Sequence, residues 1–175
     1  YFADQYGQHS ISDVSANFTI QQLLLLRYQN KNQEIHFYIN SPGGSVTATM
    51  AIYDTMQFLE CPISTYCMGM AASGAAILLA AGTKGRRYIL PHGRVMIHQP
   101  WGQIPFAQAA DVDIEMAELL REKKALNAIL AKHCNKTEAE IEAITERNRY
   151  FTAQEAKEYG LVDEVLPRMG GAPTT

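Results

Sequence analysis

The stretch Glu34–Leu59, EIHFYINSPGGSVTATMAIYDTMQFL, changes its hydrophobic period halfway along. Its first part, Glu34 to Asn40, is rich in β-branched and aromatic residues and is stopped by Ser41-Pro42-Gly43-Gly44. From Ser45 to Leu59 the apolar residues Val46, Met50, Ile52, Tyr53 and Met56 fall at helical spacing. The stretch therefore reads as a strand, a glycine corner and a helix. The unit recurs directly: Ile63–Met68 is a second strand, Gly69–Ser73 a second small-residue corner, and Gly74–Ala81 a short helix of small apolar residues. Two such units with apolar strands predict an α/β fold in which helices cover the sheet.

Flanking segments extend this pattern. Ser12 reads as the cap of an N-terminal helix running to Leu26, with Val14, Ile20, Leu23 and Leu24 as its inward residues. Gly85–Leu90 and Arg94–His98 are short strands separated by the turn residues Pro91-His92-Gly93. A long amphipathic helix is expected over Phe106–Lys132, with apolar Val112, Met116, Leu119, Leu120, Leu126, Ile129 and Leu130. Thr137 with Glu140 and Thr152 with Glu155 are capping boxes opening two further helices, the second ending at Gly160, and Leu161–Leu166 closes the chain as a strand.

At 175 residues, with no Pro/Gly/Ser-rich linker, the chain is expected to form one domain over 1–175, with a flexible tail at 168–175. A net charge of -3 gives no basic footprint for nucleic acid or an anionic membrane. The longest apolar run, Ala75 to Ala81, is too short to span a bilayer, and the N-terminal stretch has no signal-like apolar region. Cys61, Cys67 and Cys134 are odd in number and lack zinc spacing, which reads as a reducing compartment with no metal site, and Cys61 and Cys67, which flank or lie within an apolar strand, read as buried thiols.

Ser73 is the one hydroxyl in the small and apolar run Cys67–Ala81. Between a glycine-containing corner and a helix start, a serine is either an ordinary helix cap or a nucleophile held by stiff backbone beside free N–H groups. A nucleophilic serine needs an imidazole base and a group to orient it. Of the five histidines, His9, His36, His92 and His133 read as surface or structurally satisfied rings, whereas His98 ends an apolar strand just before Gln99-Pro100. The Gly43-Gly44 pair would let backbone N–H groups approach a substrate, although alone it is also an ordinary turn.

Taken together, Tyr38–Ser45 (YINSPGGS), Gly69–Ser73 (GMAAS), Met96–Pro100 (MIHQP), Asn127–His133 (NAILAKH) and Glu158–Asp163 (EYGLVD) resemble, in order and spacing, the ClpP family, the proteolytic subunit of ATP-dependent Clp protease. The resemblance covers about residues 12–167. It implies a ClpP/crotonase-like spiral of ββα units with a protruding handle helix, and a serine endopeptidase acting on unfolded polypeptides. It also implies Ser73 as nucleophile, His98 as general base, and the backbone N–H groups of Gly44 and Gly74 as the oxyanion hole. Trp101–Ala110 would align the substrate peptide. Partners implied are self or paralogous subunits in two stacked heptameric rings and a hexameric AAA+ ATPase unfoldase. ATP belongs to that unfoldase, no cofactor being bound by the subunit itself, and the location implied is cytoplasm or an organelle stroma or matrix.

Three departures accompany the resemblance. The third triad position, usually acidic, is Asn148 within Glu146-Arg147-Asn148-Arg149. Asn accepts a hydrogen bond from an imidazole but supplies no charge to imidazolium, and a comparable swap in another serine protease cost about four decades of turnover. Gly74 stands where a larger residue, often Met, is common, so the wall of the specificity pocket is expected to lose a side chain. Residues 1–11 do not resemble the family's axial segment. A weakly active or latent subunit completing mixed rings is therefore the alternative; acyl-CoA chemistry on the same scaffold is disfavoured by the Ser/His couple.

Overall fold

The structure is a computed structural model describing residues 10–100 and 109–167, with backbone alone at 109 and 110. In chain order the elements are α1 (Asp13–Gln29), β1 (Ile35–Ser41), α2 (Val46–Phe58), β2 (Ile63–Ala72), α3 (Gly74–Ala80), β3 (Arg87–Ile89), β4 (Arg94–Ile97), α4 (Ala109–Cys134), α5 (Glu138–Thr145), β5 (Arg149–Thr152), α6 (Ala153–Tyr159) and β6 (Glu164–Val165). The expectations for His9, for Trp101–Gln108 and for the 168–175 tail lie outside the described residues.

One sheet organises the chain, and β2 is its centre. β2 pairs in parallel with β1 along one edge, while β3 and β4 share its other edge in succession, β3 at Thr65–Cys67 and β4 at Met70–Ala72. β6 extends the sheet beyond β3 in parallel, and β5 closes the far side antiparallel to β4. The architecture is the α/β class expected, but β2 differs from the expected strand. It runs ten residues, through what reads in sequence as a corner, because the chain bends within the strand instead of leaving it. The pairing with β1 slips between Ile39 and Ser41, the bend falls at Gly69 (φ 102), and the Asn40 carboxamide accepts a hydrogen bond from Met70 N at 3.2 Å across the irregularity.

The core forms where helices press on this sheet. Ala75–Ala80 of α3 is wholly buried, and α3 packs against β1, β2, β4, α2 and α4. Its small residues permit that close approach on several sides, while Leu78 and Leu79 fill the remaining volume at about 1.5–3 kcal/mol each. Ser12 caps α1 and Gly160 ends α6 in a left-handed turn, and both Thr–Glu capping boxes form as the sequence predicts.

Two inward expectations fail on α1. Val14 is 56% exposed and Leu24 45% exposed, while Ala16 and Leu23 face the core. Only one narrow face of α1 meets α2, so Val14, Phe18, Leu24, Leu25 and Leu26 remain uncovered among the described residues. The handle expectation is met in α4: Asp111–Leu120 holds no buried residue, whereas Asn127, Ile129, Leu130 and Ala131 enter the core. The closing strand shortens to Glu164–Val165, and β5 was not anticipated, since Arg149–Thr152 carries no alternation of its own and becomes a strand only against β4.

A buried arginine ties the helix ends together. Arg87 makes a salt bridge with Asp163 (2.6 Å) and donates to the carbonyls of Ala80, His133 and Gly160 at the ends of α3, α4 and α6. Burial alone would raise the Asp163 pKa, but the Arg87 hydrogen bond and charge more than offset it, leaving the carboxylate below its usual range. Arg87→Ala is expected to destabilise the fold by roughly 3–5 kcal/mol, since it strands a carboxylate and three carbonyls; urea denaturation measures this.

Nearby, Tyr53 Oη and His133 Nε2 lie 3.1 Å apart in a half-buried contact, in keeping with the structurally satisfied ring expected. Desolvation, with Lys132 and Arg87 adding to it, lowers the His133 pKa from 6.5 to about 4. A depressed folded pKa means that the unfolded chain takes up the proton first. Stability is therefore full above pH 6.5 and lost as pH falls toward 4. The melting temperature should decline over that window, and His133→Gln should flatten the decline.

Candidate active site

Three strand ends meet at one place. β1 ends in Ser41 and the Pro42-Gly43-Gly44 corner, β2 ends at Ala72 before Ser73, and β4 ends at Ile97 before His98. All three strands run parallel, so these are the carboxyl ends of neighbouring strands, where α/β sheets gather ligand sites. Ala72 is paired with Met96, and Ser73 N donates to Met96 O at 2.8 Å. The serine is thereby pinned to the strand that delivers the histidine two residues later.

Ser73 is not a capping serine. Its side chain makes no cap hydrogen bond to α3, and its backbone sits at φ 56, ψ −124, a conformation unfavourable for a residue with a side chain. Such strain persists only where the surroundings enforce it. Here they do so through the Met96 bond and through the carbonyl of Ser73, which accepts from Ala76 N and Ile77 N. The result is a hydroxyl that makes no cap bond to its own helix.

The glycine corner lies directly over this turn. A Cβ built on Gly43 would come within 2.6 Å of both Ala72 O and Ser73 Cβ, so only glycine permits the contact. Ser41 Oγ accepts from Gly43 N at 3.1 Å and holds the corner closed. A bridge between Ile11 and Gly44 fixes its other side, with Ile11 N donating to Gly43 O and Ser45 N to Ile11 O. Among the described residues, neither Gly44 N nor Gly74 N is taken by a backbone partner.

Ser73, Gly44, Gly74 and His98 line one small cleft of about 30 Å³, with the apolar side chains of Val46, Ile77, Leu126 and Leu130 around it. Four of the five residues singled out from sequence thus come together. Asn148 does not line the cleft. It is an exposed residue immediately before β5, and the β4–β5 register, in which Ile97 faces Arg149, carried one step further sets Asn148 opposite His98. Among the described residues no hydrogen bond joins Ser73 to His98 or His98 to Asn148. Gln99 anchors this edge, its N donating to Thr145 O and its Nε2 to Glu146 O.

Two residues of the cleft escaped the sequence reading. Asn127 is a buried polar residue on the inward face of α4, betrayed only by its place between Leu126 and Leu130. Thr49 on α2 is fully buried, with Oγ1 donating to Ser45 O at 2.8 Å, a pattern indistinguishable in sequence from any helical threonine. Thr49 also bears on the expectation at Gly74. The space beside Gly74 is filled: an added Cβ would lie 3.1 Å from Thr49 Cγ2 and nearer still to Thr49 Oγ1.

The three cysteines are buried free thiols, and burial pushes Cys67 up to about 12 and Cys134 up to about 11, so neither offers a thiolate. Among the described residues no group of His, Cys, Asp and Glu could hold a metal ion, and no helix is long and apolar enough to cross a membrane.

Comparison with known proteins agrees with this geometry. The family model described as Clp protease matches residues 6–169. The chain is 52% identical over 161 residues to ATP-dependent Clp protease proteolytic subunit 1 of Rhodopirellula baltica, covering 92% of this chain and 70% of that protein. With the family model spanning nearly the whole sequence, and with the strained serine and the strand-end histidine on one cleft, the chain belongs to the Clp protease family.

Proposed function

We propose that this chain is the proteolytic subunit of an ATP-dependent Clp protease and cleaves unfolded polypeptides by serine acyl transfer. The observation that carries the reading is the strained Ser73, its hydroxyl uncommitted to capping, on a cleft shared with His98 and two available backbone N–H groups.

In this reading Ser73 Oγ attacks the scissile carbonyl while its proton passes to His98. The oxyanion that forms accepts hydrogen bonds from Gly44 N and Gly74 N, donors that cost no reorganisation because the corner and the helix start are already rigid. His98 then returns the proton to the leaving amine, and water resolves the acyl-enzyme by the same route. Asn148, opposite His98 in the extended β4–β5 register, orients the imidazole through its carboxamide oxygen. The hydrogen bonds of the His98 ring to Ser73 and Asn148 tighten when substrate binds.

Self-association is supported by the apolar band on α1 (Val14, Phe18, Leu24, Leu25, Leu26) and by the exposed start of α4, where Ile114, Met116 and Leu120 face outward. Stacked heptameric rings sequestering Ser73, and a hexameric ATPase that delivers substrate, are part of the proposal. Mass measurement of the native assembly tests the first.

A second reading, a weakly active subunit that completes rings with a more active paralogue, is favoured by one observation: position 148 holds a neutral, exposed Asn. Two variants test the residues on which both readings rest. Ser73→Ala should lower hydrolysis of a fluorogenic peptide at least about 10³-fold; unchanged activity removes Ser73 from the mechanism. Asn148→Asp should raise kcat at least about ten-fold by restoring a charge behind the imidazole; no gain would mean that Asn148 does not occupy the orienting position.

A further inference from the structure

The cleft beside Ser73 is closed on one side by two residues that fit only each other. Gly74 opens α3, Thr49 faces it from α2, and both line the cleft with Ser73 and His98. Thr49 is fully buried and held in one orientation by its bond to Ser45 O, so it cannot swing aside to admit a larger neighbour. A Cβ on residue 74 would overlap Thr49 Oγ1 and sit 3.1 Å from Cγ2 and 3.2 Å from Cβ. The glycine after the serine therefore does not widen the site. It lets α2 approach until a threonine side chain takes the vacated space.

We propose that Thr49, seated against Gly74, is a specificity-determining residue that limits the side chain on the acyl side of the scissile bond to small groups. The inference rests on the peptidase reading above. A carbonyl placed between Ser73 Oγ and the N–H groups of Gly44 and Gly74 directs its own residue's side chain into the adjoining recess. That recess is the part of the cleft bounded by Val46, Thr49, Ile77, Leu126 and Leu130, and the whole cleft, Ser73 and His98 included, offers about 30 Å³. At roughly 10–15 Å³ for each water-sized group, so small a cleft favours a methyl or ethyl over a leucyl or phenyl side chain. Its walls resist expansion because Ile77, Leu130 and Thr49 belong to the packed core.

The test compares kcat/KM on fluorogenic peptides differing only in that residue: Ala, Met, Leu and Phe. The native protein should favour Ala. Thr49→Ser, which keeps the hydroxyl for Ser45 O and removes the methyl, should shift the Leu/Ala ratio upward by about ten-fold or more, and Thr49→Val, which keeps the shape, should leave the ratio in place. Gly74→Ala should depress both activity and melting temperature, and Thr49→Gly in the same chain should recover both, the pair being coupled rather than additive. An unchanged Leu/Ala ratio in Thr49→Ser, or additive behaviour of Gly74→Ala and Thr49→Gly, overturns the role of Thr49. Labelling of Ser73 by a fluorophosphonate reports separately on the peptidase reading. Labelling with an unaltered peptide preference defeats only the present inference, whereas absence of both labelling and hydrolysis defeats the peptidase reading and this one with it.

Discussion

A single bent strand holds the molecule together. β2 must satisfy β1 on one edge and two different strands, β3 then β4, on the other, and it does so by breaking register near Gly69. Without that bend its second half would run on beside β3, and Ser73 would emerge beside a strand that carries no histidine. With it, Ala72 reaches Met96, and the serine arrives next to the end of β4. The irregularity leaves backbone groups out of the ladder, and the Asn40 side chain takes one of them. The placement of the site is therefore a consequence of how the sheet resolves a pairing conflict.

Around that strand the packing is governed by small residues. α3 is surrounded by sheet and helices because four of its seven residues are glycine or alanine, and the same economy of side chains at Gly43 and Gly74 lets the glycine corner and α2 reach the Ser73 turn. Close approach is what makes the Ser73 conformation enforceable: the strain is held by contacts on the strand, corner and helix sides at once. On the far side of the domain, Arg87 performs the complementary task, gathering the carbonyl ends of α3, α4 and α6 around one guanidinium.

Much of this was legible from residues taken in order. The period change at Ser41–Ser45, the capping boxes at Thr137 and Thr152, and the stop at Gly160 are local signals, and each produced the element it announces. What local pattern misjudged is equally specific. Val14 and Leu24 lie on the apolar arc of α1 yet face outward, because the arc is wider than the surface α2 offers. Arg149–Thr152 has no strand signal of its own and is a strand only because β4 has a free edge. The corner expected at Gly69–Ser73 is a strand that turns late.

By itself, the sequence determined the chemistry available: a serine among small residues, a histidine at the end of an apolar run and paired glycines after a strand. These are properties of residue type and spacing, which short-range physics translates into turns, caps and strands. Only the tertiary structure decided which of them meet. Ser73 and Gly44 are joined by the corner packing on the β2 end, His98 by strand pairing, and Asn148 is left opposite the histidine but off the cleft. The Thr49–Gly74 contact belongs wholly to that second class, because a helix-to-helix approach of a few ångströms is set by packing of the entire core and leaves no trace in the spacing of either residue.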